Sequence, residues 1–161
     1  MKRSIVSTGL ALAFALGTVL PAAAAEQRPF SGEFTGSGIA ADQRCGPGAL
    51  TIGHQVSGVA THLGRFTGTG TNCTEFTFAT ETVAIWDGIV TIRAADGSTL
   101  TLTAEGSQSA PVAGVASYTH TDTVVSGTGR FADAAGVLVL TGTIDFSTFA
   151  VTGSVNGWLS Y

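Results

Sequence analysis

The feature that most constrains the fold is an alternation of threonine with apolar residues, in short runs that glycine or Asp-Gly interrupts. The run 99–103, TLTLT, alternates strictly, as a strand does when one face is buried and the other contacts water. A similar run, 87–93, precedes it across Asp96-Gly97, a dipeptide typical of tight hairpin turns. The two runs therefore predict an antiparallel pair of strands.

The rest of the chain repeats this pattern and shows no helical period after residue 25. Threonine, being β-branched, and interior glycine both disfavour helix. With turns every 10 to 17 residues, successive strands can form a meander, and closure into a barrel removes exposed strand edges. We expect an all-β fold, a single eight-stranded antiparallel β-barrel, with one of nine strand-like runs short or irregular. The other runs are 31–39, 49–56, 64–70, 75–86, 115–125, 137–144 and 149–159.

The first 25 residues have the pattern of a secretory signal peptide. Lys2 and Arg3 precede an apolar run over 5–20, and small residues follow, ending at Ala25. The apolar run is too short to span a bilayer comfortably, and the small residues fit an A-x-A cleavage site. We therefore expect cleavage after Ala25, one domain over 26–161 with no transmembrane segment, and a secreted or periplasmic location.

The charge of the mature chain excludes two classes of partner. Beyond residue 25 the chain has five arginines, no lysine and eleven acidic residues, for a net charge of about −6. A nucleic-acid-binding protein needs a basic surface to meet phosphates, and an anionic membrane attracts basic segments. We expect neither nucleic acid nor an anionic membrane surface as a partner.

Cys45 and Cys73 are the two cysteines of the chain. Because thiols are usually oxidised in an exported protein, we expect one disulfide, which closes a loop of about 29 residues and contributes roughly 3 to 4 kcal/mol. The alternative is a Cys2His2 metal site with His54 and His62. Such sites use closely spaced ligand pairs, whereas these four residues are scattered, so the sequence favours the disulfide and no metal.

Segment 126–136, SGTGRFADAAG, has three glycines and an arginine, a composition that suggests a phosphate-binding loop. A dinucleotide-binding loop requires a third glycine where Ala132 stands and a helix where the apolar run 137–140 follows, and a P-loop requires a lysine. Both interpretations fail on these residues, so the sequence predicts no nucleotide and no other cofactor. It predicts instead a turn between two strands, with Phe131 buried and Arg130 exposed.

The same segment carries a resemblance. Residues 127–136 and the apolar strand after them resemble the G-x-G-x-[FY]-x-x-A-x-G segment of the dirigent and allene oxide cyclase barrel superfamily, and 61–67, THLGRFT, is similar to a segment of small exported bacterial proteins that share that motif. The resemblance covers 58–161 and implies an eight-stranded barrel with a central cavity, able to form dimers or trimers. It implies no single activity, because members include an oxylipin cyclase, proteins that orient radical coupling, and barrels without a known ligand.

No residue here matches the active sites of the plant enzymes, so catalytic candidates come from local pattern alone. Tyr118, His120 and Asp122 alternate along one strand face, where an imidazole and a carboxylate could act as a base and the group that orients it. If that face points outward, the three are merely solvated polar residues.

His62 and Arg65 are candidates for ligand binding, because an arginine can hold an anionic group by paired hydrogen bonds. The competing interpretation is a histidine at the start of a strand and a surface arginine.

Two functions follow from these observations. The first is a small exported barrel without catalytic activity that binds a ligand, with an apolar small molecule as the expected partner, or that acts through its surface. The alternative is a cyclase or isomerase that shapes an apolar substrate in a dry cavity. An enzyme of that kind needs an accessible cavity of about 300 Å³ or more, with His120, Asp122 or Arg65 pointing into it.

Overall fold

The computed structural model describes residues 26–39, 41–75 and 81–161, so the expected signal peptide, 1–25, lies outside the described residues. The strands form one closed antiparallel barrel in which each pairs with the next and the last pairs with the first. The predicted eight-stranded antiparallel barrel is thus confirmed. Among the described residues, no helix has the length and apolar character needed to cross a membrane. The strands are β1 (Arg28–Ile39), β2 (Ala49–Ala60), β3 (Gly64–Glu75), β4 (Thr82–Ala94), β5 (Thr99–Ser109), β6 (Val115–Gly127), β7 (Ala135–Asp145) and β8 (Ala150–Ser160).

The predicted strands 75–86 and 87–93 differ from those observed. Glu75 is the last residue of β3. Residues 82–86 of the first run and 87–93 of the second belong to one strand, β4. Asp87 has a φ of 50°, and the register between β4 and β5 shifts between Ile85 and Gly88. This is a β-bulge, in which an extra residue bends a strand without ending it. The Asp87-Gly88 pair therefore bends a long strand, whereas Asp96-Gly97 turns the chain as predicted.

One end of the barrel, which we call the plugged end, lies where β1 begins. There a single 3-10 turn, Gly129–Phe131, joins β6 to β7 and inserts the Phe131 ring, which is 0% exposed. The ring meets that of Tyr161 edge-on, with centroids 5.0 Å apart, and it belongs to the apolar core cluster with Leu100 and Leu159. Gly129 has a φ of 61°, which few other residues adopt. The predicted turn, with Phe131 buried and Arg130 exposed, is confirmed.

The opposite end, which we call the cavity end, lies where β1 ends. There a disulfide and an ion pair hold the segment before β2 against the sheet. The disulfide between Cys45 and Cys73 joins the segment before β2 to β3, which confirms the predicted pairing. Arg44 forms an ion pair with Asp87 and donates hydrogen bonds to Thr71, so the same segment is also held to β3 and β4. Neither sulfur can act as a thiolate ligand in this state, so the Cys2His2 alternative is wrong.

Candidate ligand-binding cavity

The barrel interior contains a cavity of about 130 Å³ with a mainly apolar lining. Phe30 and Phe66 line it near the plugged end, and Phe146 and Phe149 line it at the cavity end. Phe149 is 53% exposed, so the lining reaches the surface there. Apolar cavities of about 150 Å³ stay dry and bind benzene, whereas pockets for drug-sized ligands begin at about 300 Å³. The volume therefore suits a molecule of benzene size.

Three polar side chains of β6 reach into this cavity. Tyr118, His120 and Asp122 all line it, while Thr119 and Thr121 between them are exposed on the outer face. Successive side chains of a strand point to opposite faces. Ala116 and Val124 share a face with the three polar residues, and their burial in the core orients that face inward. The inward orientation is the one that an acid or base role requires, and the solvated outward orientation is not observed.

Asp122 is the most deeply buried of the three, at 1% exposure. Its partners on the neighbouring strands are Ala104 of β5 and Leu138 of β7, both apolar. Among the described residues, its Oδ1 atom has no hydrogen-bond partner. Burial disfavours the charged carboxylate and raises the pKa of Asp122 to about 7. The group is therefore a carboxylic acid in mildly acidic solution.

Two histidines face the cavity from opposite walls. His54 lies on β2 and His120 on β6, four strands apart in an eight-stranded barrel. Burial lowers the pKa of His54. Burial, and to a smaller extent the charge of His54, lowers the pKa of His120 to about 4. Both rings are therefore neutral imidazoles at neutral pH, each with one nitrogen that donates and one that accepts.

His54 was considered above only as a metal ligand, and sequence reasoning missed it as a cavity residue. The sequence did indicate its orientation. His54 lies two positions from both Ile52 and Val56 on β2, and residues at this spacing share one face of a strand, here the inner face. What the sequence could not supply was the partner, since β2 and β6 meet across the cavity only when the barrel closes.

Glycines of β3, β7 and β8 make room for the rings of His54 and Tyr118. A Cβ atom at Gly142 would lie 2.5 Å from the Tyr118 hydroxyl, and one at Gly153 would lie 2.9 Å from it. A Cβ atom at Gly70 would lie 2.5 Å from His54 Nε2. Because real Cβ atoms do not approach so closely, glycine at these positions lets the rings lie flat against the barrel wall.

Tyr118 is fixed more firmly than a flexible polar residue would be. Its hydroxyl donates a hydrogen bond of 3.2 Å to the Thr152 carbonyl oxygen, and its ring lies 5.0 Å from that of His120. Burial, together with the nearby Asp122 carboxylate, raises the pKa of Tyr118 above its usual range. Tyr118 is therefore an uncharged lining residue, and its hydroxyl proton is already donated to a backbone carbonyl oxygen.

The structure does not bring His62 and Arg65 to the cavity. His62 lies in the turn between β2 and β3 at the plugged end, where its Nε2 is 3.0 Å from the Pro29 carbonyl oxygen and its Nδ1 is 3.1 Å from the Tyr161 hydroxyl. Since both ring nitrogens have partners, His62 links the start of β1 to Tyr161, which follows β8. Arg65 is exposed on the outer face of β3. Neither residue lines the cavity, and the expectation that they bind a ligand stays a prediction.

The cavity offers neutral hydrogen-bonding groups in an apolar setting. Among its described lining residues none is an arginine or a lysine, so nothing there compensates a buried negative charge. Because the pKa of Asp122 lies above that of His120, Asp122 is protonated and His120 is neutral in mildly acidic solution. The described residues contain no group of three or more histidine, cysteine or acidic side chains arranged to hold a metal ion.

Comparison of the chain with models of protein families, with curated proteins and with solved structures finds no match. The chemistry of the cavity therefore carries the functional argument.

Proposed function

We propose that this protein binds a small, neutral, mainly apolar molecule inside its barrel and does not transform it. The observation that carries the proposal is the apolar cavity, plugged at one end by Phe131 and lined on opposite walls by His54 and by His120 with Asp122. Few polar groups in a mainly apolar lining are the usual composition of small-molecule sites. The polar groups give orientation, and the apolar surface supplies affinity.

The cavity volume favours binding over the cyclase hypothesis. At about 130 Å³, it lies well below the 300 Å³ or so that such an enzyme would need. A substrate that must fold upon itself would not fit beside Phe34 and Tyr118, which already occupy the interior.

We further propose that the protein works outside the cytoplasm as a member of the dirigent and allene oxide cyclase barrel superfamily. The disulfide between Cys45 and Cys73 supports export, because such bonds persist in oxidising compartments. The closed eight-stranded meander and the buried Phe131 of the glycine-rich segment support the family resemblance.

Native mass spectrometry of the protein purified from its own host tests the binding proposal. We expect a species heavier than the polypeptide by the mass of one small molecule. The variant Leu140→Phe adds volume at a cavity-lining position and should lose this species. Its matched control is Val139→Phe, on the outer face of the same strand at 41% exposure, which should retain it. Retention by both variants, or the bare polypeptide mass in wild-type protein, would contradict the proposal.

A second candidate is an isomerase for a very small ketone, and one observation favours it: a neutral carboxylic acid and a neutral imidazole lie two positions apart in one cavity. His120 would take a proton from the carbon beside the carbonyl group, the released electron pair would form the carbon–carbon double bond, and Asp122 would protonate the carbonyl oxygen. In D2O the reverse step would place deuterium on that carbon. NMR of cyclohexanone incubated with the protein tests this. Exchange should be as fast with the surface variant Asp133→Asn as with the wild type; wild-type exchange no faster than with Asp122→Asn, with His120→Gln or without protein would exclude the hypothesis.

A further inference from the structure

The unpartnered oxygen of Asp122 calls for a physical explanation. Leaving a buried polar atom without a hydrogen bond costs about 1 to 3 kcal/mol, and nearly all such atoms in native proteins have a partner. Asp122 is 1% exposed, and its Oδ1 has no partner among the described residues. The carboxyl group also lines the cavity. A ligand in the cavity is therefore in a position to satisfy it.

The surroundings decide the charge of that group. The other titratable side chains among the described lining residues are His54 from β2 and Tyr118 and His120 from β6 itself. The flanking strands β5 and β7 present Ala104 and Leu138 at this level. No described lining residue supplies a permanent positive charge, and burial favours the neutral acid. A carboxylic acid has one O–H donor, and this donor is what Asp122 offers to a ligand.

We infer that the ligand of the cavity is a small carbonyl compound of about the size of benzene, whose oxygen accepts a hydrogen bond from the Asp122 carboxyl group. The inference rests on the proposed binding function. The size follows from the cavity of about 130 Å³ set against the benzene-binding cavity of about 150 Å³. The carbonyl group follows from the buried donor and from the apolar walls around it.

A cationic amine is the obvious competitor, because a carboxylate could pair with it. Such a pair would place two charges in an apolar cavity, and the desolvation of both ions commonly exceeds their attraction. A carbonyl oxygen pairs with the carboxylic acid without any buried charge. The cost of burying two charges therefore favours the neutral ligand.

Three probes of equal size separate these possibilities. Cyclohexanone has a carbonyl oxygen, methylenecyclohexane replaces that oxygen with carbon, and cyclohexylamine is cationic. Dissociation constants are measured by NMR titration of the purified protein at pH 5.5. We expect cyclohexanone to bind about 10-fold more tightly than methylenecyclohexane, the factor that one hydrogen bond gives, and cyclohexylamine to bind most weakly.

Variants at Asp122 assign the difference to this side chain. Asp122→Leu, similar in size and without a donor, should bind the ketone and the hydrocarbon equally. Asp122→Asn retains an N–H donor and should keep the preference for the ketone, should the leucine variant fail to fold. At pH 8.5 the wild-type preference should fall, because the carboxyl group has lost its proton, whereas that of Asp122→Asn should not. The surface variant Asp133→Asn is the matched control and should behave as the wild type.

The outcomes separate the two proposals. If the hydrocarbon binds and the ketone binds no better, the cavity takes ligands but the carbonyl inference is wrong. If the amine binds best, the site is one for cations and the inference is again wrong. If none of the three binds, the binding function itself fails and the inference fails with it.

Discussion

The plugged end of the barrel and its cavity differ in how their polar side chains are paired. At the plugged end, both ring nitrogens of His62 have hydrogen-bond partners, and Phe131 is fully buried. In the cavity, Asp122 in the middle of β6 is 1% exposed, yet its Oδ1 has no partner among the described residues. Packing at the plugged end thus contributes stability, while the cavity keeps space and an unpaired polar group, which the proposed ligand would use.

The largest expected effect breaks the plug. Phe131→Ala should lower the free energy of unfolding by about 3 to 5 kcal/mol, because it removes a fully buried aromatic ring and leaves a cavity. The matched change at the other end, Phe149→Ala, removes a ring that is 53% exposed and should cost about 1 kcal/mol or less. Urea unfolding measures both. Equal losses would show that the two ends do not differ in this way.

A somewhat smaller effect concerns the covalent link at the cavity end. Replacing both Cys45 and Cys73 with serine should lower the free energy of unfolding by about 3 kcal/mol. The reason is that the two cysteines, 28 positions apart, no longer restrict the conformational entropy of the unfolded chain. Urea unfolding with and without a reductant measures it. Reductant should destabilise the wild type by a similar amount and leave the serine variant unchanged; an effect of reductant on the variant would contradict this explanation.

The smallest effect is a dependence on pH that arises at the unpaired carboxyl group. The pKa of Asp122 is raised from 3.8 to about 7, so its contribution to stability is complete below pH 4 and is lost as the pH rises through 7. Relative to wild type, Asp122→Asn should therefore gain about 2 to 3 kcal/mol between pH 5 and pH 8. Urea unfolding at the two pH values measures the gain, and a constant difference would contradict it.

His120→Gln is the control of opposite sign. The pKa of His120 is lowered from 6.5 to about 4, so its contribution appears as the pH rises from 4 to 6.5 and is complete above that range. The variant should lack this gain, and its stability relative to wild type should fall by about 2 to 3 kcal/mol between pH 4.5 and pH 7. If both variants changed in the same direction, the two groups could not have the buried environments described above.

Local patterns predicted much of this fold. The alternation of residues 99–103 identified a strand, and Asp96-Gly97 identified a turn, because the two-residue strand period and tight-turn geometry depend on neighbouring residues alone. The same local chemistry predicted that Phe131 would be buried and Arg130 exposed. It failed at Asp87-Gly88, which forms a bulge, because the pairing of β5 across it determines whether the chain bends or reverses.

The candidate site could be predicted only in part. The alternation along β6 placed Tyr118, His120 and Asp122 on one face, yet did not say which face was inner. His54 shows the limit more clearly, since it lies 66 positions before His120 in the chain and meets the same cavity only through closure of the barrel.

The sequence by itself determined the strands, most turns, the disulfide partners and the plug residue, because each depends on local geometry or on a choice among few residues. Only the tertiary structure decided that Asp122 is buried without a partner among the described residues, that His62 is hydrogen-bonded away from the cavity, and that the cavity has a volume of about 130 Å³. These properties depend on which side chains meet across a closed barrel, and that arrangement is set by the whole sheet rather than by any one strand.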